Sequence, residues 1–569
     1  MTKTPIIEFS DFTFQYYSQA EPTLHDINLK IFPGEKILIV GPSGSGKSTL
    51  GHCINGLIPF AYKGEITGSL KINGRDTQEM NIFELSKQVG TVLQDSDAQF
   101  VGLSTGEDIA FALENDSIPF DQMHERVHKV ASMVDMQHLL TSSPFELSGG
   151  QKQRTSLAGV MVDDVDILLF DEPLANLDPA TGKSAIEIIE DIHQSSKKTV
   201  LVIEHRLEDV LHQHVDRILV IRDGRIIADL DAHSLVSSDI LTNTGIREPL
   251  YVTALKYAGV QVTTDLQPGY ITTLKTDPEK AALVNWFESV PHPAEKPASP
   301  SILSIENLNF SYDGIHPVLS DINIDIKEGE MVSLVGRNGA GKSTLSKLLC
   351  GFEKPDTGII RYYGEDIADK TIKERAEFIG VVLQNPNQMI SKPMIFDEVA
   401  LGLRFREVPE EEVQERVKKV LKVCGLSPFI EWPISALSYG QKKRVTIASI
   451  LALGPKILIL DEPTAGQDFR HYTEIMEFLL ELNKIGVTII LITHDMHLML
   501  EYTPRAIVLS EGQLVADTAA SIVLTDSEVI EKASLKETSL FNLAQMIGLP
   551  DGTAFVQGFI DYERKLRDR

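Results

Sequence analysis

A glycine-rich loop written twice constrains this chain more than any other feature. GPSGSGKST occupies 41–49 and GRNGAGKST occupies 336–344, each directly after an apolar run (KILIV, MVSLV) and before a helix-forming stretch (STLGHCI, STLSKLL). A strand that empties into such a loop and then a helix leaves successive backbone N–H groups around a concave nest. The helix N-terminus adds its positive end. The G-x-x-x-x-G-K-[ST] spacing therefore predicts two phosphate cradles, one from Gly41, Ser43, Gly44, Gly46 and Thr49, the other from Gly336, Asn338, Gly339, Gly341 and Thr344. In this pattern Lys47 and Lys342 are expected to bridge the β- and γ-phosphates, with Ser48 and Ser343 as Mg²⁺ ligands.

The duplication extends well beyond the loops. Gln94 in TVLQDSDAQ recurs as Gln384 in VVLQNPNQM, LSGGQ at 147–151 recurs as LSYGQ at 437–441, and FDEP recurs as LDEP around Glu172 and Glu462. Steady offsets of this kind mean two homologous domains, expected at 5–235 and 302–525. Strand-like runs alternate with helical stretches in each, which predicts an α/β fold with a mostly parallel, RecA-like sheet core, an antiparallel edge and a helical subdomain. Residues 236–301 are expected to form a small inserted element ending in the Pro-rich linker PHPAEKPASP. Residues 526–569 are expected to form a helical C-terminal extension with no counterpart after the first half.

Asp171 and Asp461 end apolar strands, where they are expected to hold Mg²⁺ through its water shell. Glu172 and Glu462, next in sequence, stand where a carboxylate can orient or deprotonate an attacking water. LSGGQ shortly before an acidic strand end, a Gln between the glycine loop and LSGGQ, and a His about 30 residues after the DE pair together resemble the ABC-type ATPases, over both halves. That resemblance implies P-loop NTPase domains that bind ATP with Mg²⁺ and hydrolyse it. It implies that Gln94 and Gln384 sense Mg²⁺ and the membrane partner, and that His205 and His494 contact the γ-phosphate. Tyr16 and Tyr312 resemble the aromatic that stacks on adenine. Ser148, Gly150 and Gln151, with Ser438, Gly440 and Gln441, resemble the signature that completes the nucleotide site of the opposite half. Tyr439 replaces a signature glycine. A side chain directed away from the nucleotide would leave the backbone donors intact and both sites complete.

The chemistry leaves the task open, and composition narrows it. With 53 Lys+Arg against 81 Asp+Glu the net charge is −28, a poor match for a partner gripped through basic charge. The connector at 241–300 carries five Lys/Arg and six Asp/Glu, unlike the basic linker of ribosome-acting two-headed ATPases, which stand as the alternative reading. No zinc module or long coiled coil interrupts the halves, as in DNA-repair or chromosome ATPases. The three cysteines lie far apart, which suits buried thiols. The N-terminus lacks a signal-peptide pattern, and the longest apolar runs are strand-length.

A transport motor remains. VLQNPNQM, AFALEN, LSGGQKQRTSLAGV and LSYGQKKRVTIASI are similar to the energy-coupling-factor (ECF) importers of vitamins and metal ions. GIREPLYVTALKYAG and KETSLFNLAQMIGL resemble the fused ATPases associated with uptake of thiamine or its hydroxymethylpyrimidine precursor. The resemblance implies a peripheral subunit at the cytoplasmic face of the membrane, a membrane-embedded scaffold and a separate substrate-binding membrane protein. It implies neither nucleic acid nor direct contact with the transported solute. The scaffolds of this family present arginine-containing helices, for which Asp95, Asp97, Glu107, Asp108, Asp397 and Glu398 are candidate receivers, with a solvated or capping carboxylate as the alternative reading of each.

Overall fold

The computed structural model describes residues 4–93, 99–175, 177–277, 279–291 and 299–567. The chain divides into two compact units, Met1–Trp286 and Phe287–Arg569, with Asp468–Arg470 grouped with the first.

Each unit is built on the same six-stranded sheet. In the first it runs Arg225–Leu230, Arg217–Arg222, Lys36–Val40, Thr199–Ile203, Ile167–Asp171, Val89–Val92 from edge to edge. In the second the same order is Gln513–Ala519, Arg505–Ser510, Met331–Val335, Thr488–Ile492, Ile457–Asp461, Ile379–Val382. All neighbours pair in parallel except the hairpin at one edge. The sequence reason is the unbroken apolar run: all five residues of KILIV and of MVSLV are buried, as in strands covered on both faces. A second, antiparallel sheet of four strands in each unit begins with the pairing of Ile7–Tyr16 to Leu24–Ile31 and of Ser301–Ser311 to Pro317–Lys327.

A helical layer stands between the strands Val89–Val92 and Ile167–Asp171 in chain order, with the helices Thr105–Asn115, Phe120–Met133 and Gly149–Met161. Its counterpart comprises Ile395–Phe405, Glu410–Val423 and Tyr439–Leu451. There Val413, Val417 and Leu421 recur every fourth residue with no exposure, alongside Val399, Leu403 and Ile447. That stripe is what closes the layer, each such side chain contributing roughly 1.5–3 kcal/mol on burial.

One expectation is corrected. The C-terminal extension does have a counterpart after the first half. Ala232–Val236, Ile240–Thr244, Leu250–Tyr257 and Lys280–Ser289 are matched in order by Ala520–Val523, Ser527–Ala533, Ser539–Met546 and Gly552–Arg567. Two left-handed turns recur at the same places, at Gly245 (φ 71°) and Ser534 (φ 53°), then at Gly259 (φ 76°) and Gly548 (φ 68°). The repeat is hidden in sequence because short amphipathic helices conserve an apolar pattern rather than particular residues. Each appendage makes contacts within its own unit. Tyr270 Oη both accepts from Val215 N and donates to Val215 O at 3.1 Å, and Leu250 N donates to Glu208 Oε2 at 3.0 Å. In the second unit the Arg567 guanidinium lies 4.2 Å from the Tyr502 ring centroid and 3.2 Å from carboxylate oxygens of Glu501 and Glu563. Cys53, Cys350 and Cys424 are buried free thiols. Most of the linker, 292–298, lies outside the described residues, and among those described no helix is long and apolar enough to cross a membrane.

Candidate functional site

Both glycine loops leave the carboxyl end of a central strand, Lys36–Val40 or Met331–Val335, and run into the helices Lys47–Ile54 and Lys342–Cys350. The residue before each helix, Gly46 or Gly341, has φ of 103° or 98°, a region open to glycine. At the loop start the requirement is space: a Cβ on Gly41 would stand 2.1 Å from Ile221 O, and one on Gly336 1.9 Å from Leu509 O. Lys47, 4% exposed, folds back so that Nζ donates to Gly41 O and Pro42 O, both at 2.8 Å. Lys342 repeats this with Gly336 O at 2.7 Å and Arg337 O at 2.9 Å. Burial pushes the Lys47 amine down to about 8, against the opposing pull of Glu172 and Asp171.

The carboxylates close in from the neighbouring strand. Ser48 Oγ donates to Asp171 Oδ1 at 3.3 Å. Burial, reinforced by Glu172, pushes Asp171 up to about 6. Burial raises Asp461 as well, while Lys443 and Lys342 pull it down. The next residues, Glu172 and Glu462, adopt left-handed backbone at φ 50° and 44°, a costly conformation for a non-glycine residue. The surroundings enforce it: Glu172 N donates to Ile203 O and Glu462 N to Ile492 O, each at 2.9 Å. The turn aims the first carboxylate at His205, with Nε2 2.6 Å from Glu172 Oε1; in the second unit His494 Nε2 lies 3.6 Å from Glu462 Oε1. Burial raises Glu172, but the His205 hydrogen bond and the charges of His205, Lys47 and Arg206 outweigh it and hold the carboxyl below its ordinary value.

A further residue was missed in sequence. Glu204, 3% exposed, accepts from Leu174 N at 3.2 Å, His205 N at 2.8 Å and Arg206 N at 3.3 Å. It frames the turns on both sides of the Glu172–His205 pair, and burial pushes its carboxyl upward. The second unit has Thr493 there, whose Oγ1 donates to Glu462 Oε2 at 3.4 Å. Its position immediately before the histidine in both VIEH and LITH is the signal that could have found it.

The aromatic residues border the loops. Tyr16 Oη lies 3.2 Å from Thr49 Oγ1 and Tyr312 Oη 3.4 Å from Thr344 Oγ1, each ring edge-to-face on Phe14 or Phe310. In the LSGGQ and LSYGQ segments the conserved spacing is a capping box. Ser148 Oγ accepts from Gln151 N and Gln151 Oε1 from Ser148 N, and Ser438 and Gln441 do the same. Gly150 and Gly440 lie in the first turns of these 13-residue helices, whose N-terminal N–H groups favour an anion. Gln94 lies outside the described residues. Gln384 follows the strand Ile379–Val382, and the Tyr439 hydroxyl donates to its carbonyl at 3.2 Å, so the ring is directed at the Gln384 segment of its own half.

The acidic candidates that lie among the described residues are engaged within their own half. Asp108 Oδ1 accepts from Val101 N at 2.8 Å and Gly102 N at 3.0 Å, while Glu107 Oε2 accepts from Leu103 N and Ser104 N. Glu398, 5% exposed, accepts from Ser391 N at 2.9 Å and Lys392 N at 2.7 Å, and Asp397 pairs with Arg404 at 3.0 Å. Asp108, Glu107 and Glu398 thus each hold their own loop through one carboxylate oxygen. Asp95 and Asp97 lie outside the described residues.

The donor set suits a hard cation. Among the described residues no cluster of three or more His, Cys, Asp or Glu forms a self-contained metal cage. A hydroxyl beside a buried carboxylate under the phosphate loop instead fits Mg²⁺, which binds through few protein oxygens together with phosphates and water.

Comparison with known proteins agrees with this geometry. The ABC transporter family model matches residues 24–175 and 319–465, and a model described as ATP-binding cassette cobalt transporter matches residues 238–310. A protein of Clostridium perfringens named as an ABC transporter ATP-binding protein is 58% identical over 568 residues, covering 100% of both chains. One of the same name from Photobacterium profundum is 56% identical over 98% of this chain and 99% of its own. The solved structure of cbiO1 from Clostridium perfringens, part of the ABC transporter complex cbiONQ, shares 38% identity over 41% of this chain and 94% of its own, with a TM-score of 0.39. Two phosphate loops, each with its paired acids and histidine, thus belong to two ABC ATPase domains, and the chain is a member of the ABC transporter ATP-binding family whose ATPase activity is coupled to transport.

Proposed function

We propose that this ATPase is the two-site motor of an ECF-type importer, working at the cytoplasmic face of a membrane with an embedded scaffold and a separate substrate-binding membrane protein. The observation that carries this is the cobalt-transporter model matched over 238–310, a segment that covers most of the region between the two ATPase cores and ends in the first strand of the second. Exposed apolar side chains give further support. Val101, Leu103 and Phe111 in the first half are 64%, 85% and 46% exposed around the loop after the Gln94 segment, a surface suited to an apolar partner.

In this reading Lys47, Lys342 and the N–H groups of Gly44, Gly46, Gly339, Gly341, Thr49 and Thr344 hold the phosphates of ATP. Ser43 and Asn338 line the same loops, and Tyr16 and Tyr312 stack on adenine. Ser48 and Asp171, with Ser343 and Asp461, hold Mg²⁺ with Gln94 and Gln384, partly through water. Mg²⁺ supplies charge neutralisation on the triphosphate. Glu172 and Glu462 orient the attacking water and accept its proton, while His205 and His494 hold those carboxylates and face the γ-phosphate. The capped helix starts at Ser148, Gly150 and Gln151, and at Ser438, Gly440 and Gln441, serve phosphate recognition. For the solute, the family description favours a cobalt-type cation, and the resemblance of GIREPLYVTALKYAG and KETSLFNLAQMIGL favours thiamine or its pyrimidine precursor.

The test is purification from native membranes of the parent and of Leu103→Ser. The parent should bring two membrane proteins and Leu103→Ser markedly less of both, at unchanged basal ATPase. Uptake of radiolabelled cobalt and thiamine, with and without the chain, then separates the solutes. Co-sedimentation with ribosomes instead of membrane proteins would overturn the reading.

A further inference from the structure

The second half carries a tyrosine and a lysine where the first has Gly149 and Gln153. Lys443 lies one turn along the signature helix from Tyr439, an i,i+4 spacing that places both side chains on one face. Lys443 is 1% exposed, and its Nζ donates to Leu383 O at 2.9 Å and Gln384 O at 2.7 Å. The Tyr439 hydroxyl donates to the same Gln384 carbonyl at 3.2 Å. Three hydrogen bonds from one helix thus converge on two consecutive carbonyls, two of them charge-assisted and shielded from water. The charges of Asp461 and Glu462 also act on this ammonium.

The first half has different residues at these positions. Gly149 offers no hydroxyl, and Gln153, neutral, donates through Nε2 to Pro173 O at 2.5 Å, on the acidic turn. The helix of the first half therefore grips the segment after Glu172, while that of the second grips the segment containing Gln384.

We propose that Tyr439 and Lys443 are positioning residues that latch the Gln384 loop to the signature helix, so that in the second half loop and helix move as one piece. Tyr439 in place of glycine is then one of the latch's two donors rather than a defect in the signature. The inference rests on the assignment of Gln384 to the Mg²⁺-facing side of the second nucleotide site.

The test uses the full chain carrying Glu172→Gln, so that remaining turnover reports the Lys342–Glu462 site. Lys443→Met keeps the length of the side chain and removes its donors; Tyr439→Phe keeps the ring and removes one hydroxyl. Amide exchange over 384–390 should quicken at least tenfold in Lys443→Met and about threefold in Tyr439→Phe, with 99–105 unchanged. Turnover should fall about fivefold or more in Lys443→Met with KM for ATP within twofold of the parent. Unchanged exchange over 384–390 in both variants would overturn the latch. Exchange that rises equally across the whole helical layer would also overturn it, reducing Lys443 to packing. Gln384→Ala separates the assumption from the inference: if that variant hydrolyses ATP like its parent, the role of Gln384 is wrong, while exchange over 384–390 still decides the latch.

Discussion

The buried amine of Lys47 makes nucleotide binding a proton-linked event. In the free protein Lys47 titrates at about 8, because burial disfavours its charged form more than Glu172 and Asp171 restore it. Bound phosphates hold the amine charged, since two or three anionic oxygens replace the carbonyls of Gly41 and Pro42 as its acceptors. The sign follows. Below about pH 8 the amine is already charged and binding needs no proton; above it, binding must take one up. The charged fraction falls from roughly ten-elevenths at pH 7 to one-eleventh at pH 9, so affinity should drop about tenfold over that range, near 1.4 kcal/mol. The assay is calorimetric titration with a non-hydrolysable ATP analogue and Mg²⁺, in Lys342→Ala so that only the Lys47 site is loaded. It is run at pH 9 in two buffers of different ionisation enthalpy. The heats should differ by close to one proton per nucleotide. Equal heats in the two buffers, with the same Kd at pH 7 and pH 9, would refute the reasoning.

Glu172→Gln and Glu462→Gln should each lower phosphate release at the affected site by about 10²-fold or more while nucleotide stays bound, because an amide fills the same left-handed turn without the base. A variant that turns over like the parent would show that its carboxylate is not the base. Asp108→Ala and Glu398→Ala should each cost about 1–3 kcal/mol of local stability, since each frees two backbone N–H groups, and exchange at 101–102 or 391–392 should rise accordingly. Slow exchange persisting there after the substitution would mean that the loops are held by something else.

The parts of the site that were legible in sequence are those whose chemistry is local. A phosphate cradle needs glycines at fixed steps between a strand and a helix, and S-x-x-Q is its own capping box, so Lys47, Lys342, Ser148 and Ser438 stand where their spacing places them. Glu204 escaped because its role depends on three N–H groups brought together by two separate turns. Whether Asp108 and Glu398 cap a loop or face solvent stays open in sequence, because nothing local announces that a carboxylate is turned back on a loop several residues upstream. The direction of Tyr439 depended on where the strand Ile379–Val382 ends, since that brings the Gln384 carbonyl within reach of its hydroxyl. The repeated appendages escaped for a third reason: short helices constrain the period of their apolar residues far more than their identity.

The doubled unit, sheet core and appendage alike, has a consequence for what such a molecule can become. In a pair of identical chains every substitution is made twice, so an advantage at one catalytic centre is bound to whatever it does at the other. Covalent linkage removes that bond. Glu204 and Thr493, Gln153 and Lys443, Gly149 and Tyr439 are pairs that only a single reading frame can hold apart. The same linkage delivers the two centres in equal number without any assembly step. One gene thus sets both the ratio of the two engines and the freedom of each to be tuned alone.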